Sequence, residues 1–172
     1  NGEVYNFKEL RNELKALNYQ FTSETDSEVV LYSWVEWGED SVNKFNGMFA
    51  FSIWDNREKT LFLVRDRYGI KPLYYAQWGD VFLFGSEQMA ILQHPASRKE
   101  IDKRALVEYF TFQKFFTNRT LLKNIKILEP ASIAKIRYGI DKTLSIKQYW
   151  DYNFEEPSAP FSHQDYCNEL DR

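Results

Sequence analysis

Between residues 48 and 54 the chain alternates with the two-residue period of a β-strand, and both faces carry apolar groups. Phe49, Phe51 and Ile53 fall on one side, and Met48, Ala50, Ser52 and Trp54 on the other. A strand of this kind has to be covered on both faces, which places it inside a layered fold. Runs at 61–64 and 73–77 continue the strand pattern, and Gly79-Asp80 reads as a hairpin turn before 81–84. A second hairpin is predicted from 132–137 and 144–149, joined around Gly139. Helical spacing is equally clear elsewhere. Asn6 is the expected cap of a helix carrying Phe7, Leu10, Leu14 and Leu17 on one stripe. Thr25 and Glu28 have capping-box spacing ahead of a broad apolar side formed by Val29, Val30, Leu31, Tyr32, Trp34 and Val35. A short helix is expected over 87–92, and Asp102 should cap a longer one through Ala105, Leu106, Tyr109 and Phe110. Residues 155–160 have linker composition, and Ser162 and Asp165 again have capping-box geometry. Helices exchange with strand runs and hairpins replace βαβ crossovers, so the pattern predicts an antiparallel α+β fold over a doubly wound sheet.

With 172 residues, 44% of them hydrophobic, and 14 Phe, 11 Tyr and 5 Trp, the chain can bury one aromatic core and reads as one domain, or one domain with a tail. The 22 basic and 25 acidic residues give a formal net charge of −3 without a dense Lys/Arg cluster, which argues against nucleic acid. No run approaches the roughly 20 apolar residues of a membrane span, and the start lacks a basic region followed by an apolar stretch. Cys167 is the single cysteine, and His94 and His163 are the only histidines, so neither a disulfide nor a zinc-type ligand cluster is expected. The cytoplasm is the expected location.

The candidate chemistry is concentrated at the start. An Asn side-chain NH2 beside a glycine N–H can place two donors on one developing oxyanion, and glycine lets backbone approach a ligand without a Cβ clash. Asn1-Gly2 has that form, although in isolation the dipeptide is also the commonest hairpin turn. Asp26, near a helix start, reads in isolation as a group favoured by the helix dipole. Arg65, Asp66, Arg67 and Lys71 form a charged cluster read as support for the fold, and Phe49, Phe51 and Trp54 are read as core. His94 and His163 are assigned no role.

Several segments then agree in order: Asn1-Gly2-Glu3-Val4-Tyr5-Asn6, Thr25-Asp26-Ser27-Glu28-Val29-Val30-Leu31, the stretch from Phe45-Asn46-Gly47 to Trp54-Asp55, the run Leu63-Val64-Arg65-Asp66-Arg67-Tyr68-Gly69-Ile70-Lys71-Pro72-Leu73-Tyr74-Tyr75, and Phe84-Gly85-Ser86-Glu87. Together they resemble the glutamine-hydrolysing domain of glutamine-dependent asparagine synthetases, strongly over residues 1–92 and more loosely through Tyr149-Trp150.

That resemblance implies an N-terminal-nucleophile hydrolase type of αββα sandwich built from antiparallel sheets and incomplete at the N-terminus. In the family a cysteine at the mature N-terminus attacks the glutamine side-chain amide, with its own α-amino group as base. Asn1 and Gly2 match the oxyanion donors, and Glu3 and Asp26 match the groups that hold the substrate's α-amino end; no metal is implied. The nucleophile and a carboxylate-gripping arginine would lie ahead of Asn1, and Cys167 lacks the free α-amino group that activates the family cysteine. The expected organisation is a partial amidotransferase domain over 1–150, with 151–172 leading toward an absent synthetase domain. Glutamine and that synthetase domain are the implied partners, and a homodimer is admitted. No cofactor is implied for the glutaminase part, whereas ATP and magnesium are implied for the synthetase part. A domain of the same fold that binds or scaffolds without hydrolysing glutamine is the alternative.

Overall fold

A computed structural model describes residues 1–139, 143–154 and 162–170. The elements run β1 (Gly2–Val4), α1 (Phe7–Ala16), α2 (Asp26–Trp37), α3 (Ser41–Lys44), β2 (Gly47–Asp55), β3 (Thr60–Arg65), β4 (Tyr74–Trp78), β5 (Val81–Gly85), α4 (Gln88–Leu92), α5 (Lys103–Phe112), β6 (Ile125–Ile127), β7 (Ser132–Arg137), β8 (Leu144–Gln148) and α6 (His163–Leu170). One sheet has the order β1-β2-β3-β7-β8 and the other β5-β4-β6, with antiparallel pairing throughout.

Alternation along the strands explains the layers. Phe49 of β2, Phe62 and Val64 of β3 and Ile133 of β7 turn to one side of the first sheet, where they meet Leu10 and Leu14 of α1 and Val29 and Trp34 of α2. Ala50, Leu63 and Ala134 turn to the other side and pack with Tyr75 of β4 and with Leu73 and Leu128, which flank β4 and β6. Ala76 and Ile125 on that sheet's outer face are covered by Ile91 and Leu92 of α4. The result is helix, sheet, sheet, helix. Aromatic rings fill the first interface: Phe45 meets Phe49 edge-on at 5.6 Å, and Trp34 meets Phe62 at 5.0 Å.

Several local expectations are corrected by longer-range partners. Asn6 precedes α1 without capping it; its Nδ2 donates to Lys44 O and its Oδ1 accepts the Asn46 N–H, both at 2.9 Å. The side chain therefore ties the start of α1 to the turn ahead of β2. Leu17 is 47% exposed and falls off the α1 stripe, while Arg11 turns inward. Its guanidinium donates to Ser23 O and Thr25 O and lies over the Phe21 ring at 4.8 Å. Thr25 stands at the N-cap of α2 but makes no side-chain cap bond. Glu28 reaches instead to the preceding loop, accepting from the N–H and hydroxyl groups of Thr22 and Ser23. Those bonds, the Ser23 hydroxyl first, hold its pKa down to about 2. The covering of β2 is also uneven: Ala50 is buried between the sheets, whereas Ser52 and Trp54 on the same face are exposed, Trp54 by 49%.

Two caps and a hairpin form as expected. Asp102 caps α5 by accepting from the Arg104 and Ala105 N–H groups. Ser162 and Asp165 exchange the two bonds of a capping box at the start of α6. The β4–β5 hairpin turns at Gly79, whose φ of 57° suits glycine. The linker expected at 155–160 lies outside the described residues. Among the described residues, no helix is long and apolar enough to cross a membrane, and no group of three or more His, Cys, Asp or Glu is placed to hold a metal ion.

Candidate functional site

The first four residues form the edge of the five-stranded sheet. Asn1 extends β1 along β2, donating its backbone N–H to Ala50 O at 3.1 Å and accepting the Ala50 N–H at 2.8 Å. Antiparallel pairing alternates, so if Asn1 is bonded to β2, Gly2 opposite Phe49 is not. The Gly2 N–H therefore points away from the sheet. Val4 has the same parity, and its outward N–H is taken by Asp26 Oδ2 at 3.0 Å. The free edge of β1 and the start of α2 thus face each other.

Glycine at position 2 is required sterically. Its φ is 114°, and a Cβ there would lie 2.0 Å from Met48 O and 2.7 Å from the Phe49 Cα. Gly47 makes the complementary approach, since a Cβ on it would meet Glu3 O at 2.2 Å. The two backbones lie close because neither carries a side chain at the crossing.

Behind this pair lies a buried carboxylate. Asp66, fully buried, accepts the N–H groups of Tyr68 and Ile70 on Oδ1 and those of Lys71 and Phe49 on Oδ2, at 3.0 to 3.3 Å. Its own N–H donates to Phe49 O at 2.9 Å. Phe49 is therefore held from one side by Asp66 while it faces Gly2 on the other. Arg65 fans into Lys71 O, Gly69 O and Leu128 O, and Arg67 into Phe45 O and Asn43 O. The half-buried Tyr149 hydroxyl donates to Arg65 O at 2.9 Å, and burial pushes its pKa up. Arg65, Asp66 and Arg67 are thus engaged by backbone, as support for the fold requires, and the Lys71 backbone joins them.

Asn1, Gly2, Glu3 and Asp26 come together on one cleft of about 230 Å³. Val4, Ser27 and Ser52 also line it, with the apolar side chains of Val30, Leu31, Phe49, Phe51 and Ile53. The arrangement offers an outward backbone N–H, an amide side chain and two carboxylates around a small space. Such a set can grip an ammonium and stabilise an oxyanion. Among the described residues, no thiol lines the cleft. Cys167 lies on α6, with its Sγ 3.6 Å from His163 Nδ1, and is not among the residues lining the cleft. Two contributors escaped sequence reasoning. Ser86 accepts from Asn1 Nδ2 at 3.3 Å, and its signal was its place in the Phe84–Glu87 segment. Val4 brings Asp26 to the site through a backbone N–H, for which no side-chain pattern exists.

The family model described as a glutamine amidotransferase domain matches residues 1–150. The chain is 42% identical over 162 residues to glutamine-hydrolysing asparagine synthetase 3 of Bacillus subtilis, covering 94% of this chain and 26% of that protein. It is 40% identical over 155 residues to asparagine synthetase 1 of the same organism, covering 90% and 24%. The chain therefore spans about a quarter of the length of these relatives. Among solved structures it is similar to a glutamine phosphoribosylpyrophosphate amidotransferase from B. subtilis complexed with ADP and GMP, with a TM-score of 0.59, 17% identity and coverage of 87% of this chain and 28% of that one. That likeness bears on the fold, and it agrees with the αββα layering of N-terminal-nucleophile hydrolases. With a match running from Asn1 to the end of the second hairpin, the chain belongs to the glutamine amidotransferase domain family.

Proposed function

We propose that this cleft binds glutamine and supports hydrolysis of its side-chain amide, and that the whole protein uses the ammonia in an ATP- and magnesium-dependent amidation of aspartate. The observation that carries the reading is the outward N–H of Gly2 beside the Asn1 amide, on the same cleft as Glu3 and Asp26. In this reading the two donors stabilise the tetrahedral oxyanion, and the two carboxylates orient the substrate's α-ammonium. The nucleophile is a cysteine ahead of Asn1, as the family resemblance implies, and ATP and magnesium are held by the synthetase part.

Two results test it. Residues 1–172 alone are expected to bind glutamine without releasing ammonia, because no thiol lines the cleft among the described residues. Binding is followed by the amide resonances of Gly2 and Asp26, and release by an ammonia assay against a buffer blank. Turnover by this polypeptide would overturn the assignment of the nucleophile, and unshifted Gly2 and Asp26 resonances would overturn the assignment of the cleft.

Asp26→Asn in the full-length protein separates charge from scaffolding. Asparagine keeps an oxygen for the Val4 N–H but loses the negative charge that would pair with an ammonium. A charge-assisted hydrogen bond contributes about 1.5 to 3 kcal/mol, so the glutamine KM is expected to rise roughly ten- to more than a hundredfold. A KM within twofold of the parent would limit Asp26 to anchoring β1.

A further inference from the structure

The Asn1 side chain connects the two sheets. Its backbone belongs to the outer edge of the five-stranded sheet, whereas its Nδ2 donates at 3.3 Å to Oγ of Ser86, which directly follows β5 at the edge of the three-stranded sheet. The paired bonds with Ala50 hold the Asn1 Cα but leave its side-chain torsions undetermined. Those torsions matter, because they decide where the second Nδ2 hydrogen points. An NH2 carries two hydrogens, and directing one of them to Ser86 Oγ fixes the heading of the other.

We propose that Ser86 is a positioning residue for glutamine hydrolysis: its hydroxyl oxygen, accepting one Nδ2 hydrogen of Asn1, holds the side chain so that the other hydrogen is turned toward the developing oxyanion. The inference rests on the reading of Asn1 as an oxyanion donor. It also explains why the site needs both sheets, since the donor hangs from one and is aimed by the other. Preorganised donors stabilise charge only when they already point at it, and small misplacements are costly in rate.

The experiment compares Ser86→Ala, Ser86→Thr, Asn1→Ala and Asn1→Ala/Ser86→Ala in the full-length protein with glutamine or free ammonia as nitrogen source. Ser86→Ala is expected to lower kcat with glutamine by about tenfold, an orientation effect, while the glutamine KM stays within about twofold. Ser86→Thr keeps a hydroxyl and should restore the rate. On the Asn1→Ala background, removal of Ser86 should cost nothing further, because there is no amide left to orient. An unchanged kcat in Ser86→Ala beside an impaired Asn1→Ala would overturn the role of Ser86 alone. So would an equal loss in both backgrounds, or an equal loss with ammonia. A full glutamine rate in Asn1→Ala would instead overturn the oxyanion reading on which the proposal stands.

Discussion

Asp66→Ala is expected to be among the most destabilising single substitutions in this chain. The carboxylate is fully buried and receives four backbone N–H groups, from Phe49, Tyr68, Ile70 and Lys71. Alanine would leave these four donors without the acceptor they now share. A buried donor without an acceptor costs about 1 to 3 kcal/mol, so even with partial relaxation the loss should reach about 4 kcal/mol or more. That is a large fraction of the roughly 5 to 15 kcal/mol that ordinarily separates folded from unfolded chains. For a chain of this size the midpoint of thermal unfolding should fall by at least about 8 to 16 °C. Asp66→Asn is not expected to rescue it, because one of its two ends is a donor and would face donors. Denaturant and thermal unfolding of both variants provide the check. A loss under about 1 kcal/mol would mean that water or a neighbouring group takes over the four N–H groups. Because Phe49 stands opposite Gly2, resonances of β1 should also shift before global unfolding sets in.

The same residue shows where sequence reasoning worked and where it stopped. The two-residue period over β2, the hairpin at Gly79 and the antiparallel pairing of β7 with β8 were legible because side-chain patterning alone encodes them. So were the helical stripe of Leu10 and Leu14 and the Asp102 cap. The support role of Arg65, Asp66 and Arg67 could be read as a class, but their acceptors and donors are backbone groups, which carry no residue signature. Strand β1, three residues long, has too few positions to show a period, and Asn1-Gly2 in isolation reads as a turn. The structure gives Gly2 a different reason for being glycine, the approach of Met48 O and the Phe49 Cα. Capping signals failed at Asn6 and Glu28 for one shared cause. Each side chain had a more distant or differently placed partner, Lys44 and Asn46 for the first and the Thr22-Ser23 loop for the second. In both cases the side chain was read correctly as a hydrogen-bonding group, and only its target was wrong.

Asn1→Ala in the full-length protein is expected to separate the two nitrogen sources sharply. Removing one preorganised oxyanion donor typically lowers kcat by about 10²- to 10³-fold, and the loss should fall on glutamine-dependent turnover. Ammonia supplied free bypasses amide cleavage, so that rate should stay within about twofold, since the substitution touches no interaction made in the later transfer. The fold has little reason to change. The pairing of Asn1 with Ala50 uses backbone atoms alone, and the side chain is exposed. The loss should also be partial. The outward N–H of Gly2 remains as a second donor, so a residual glutamine rate above that of a variant lacking the nucleophile is part of the expectation. The glutamine KM should move less than kcat, because a donor aimed at a charge that exists only in the transition state contributes little to binding the ground state. Equal losses with glutamine and ammonia would identify Asn1 as a structural residue of the sheet edge. A raised KM with unchanged kcat would make it a group that binds substrate and does not stabilise the oxyanion.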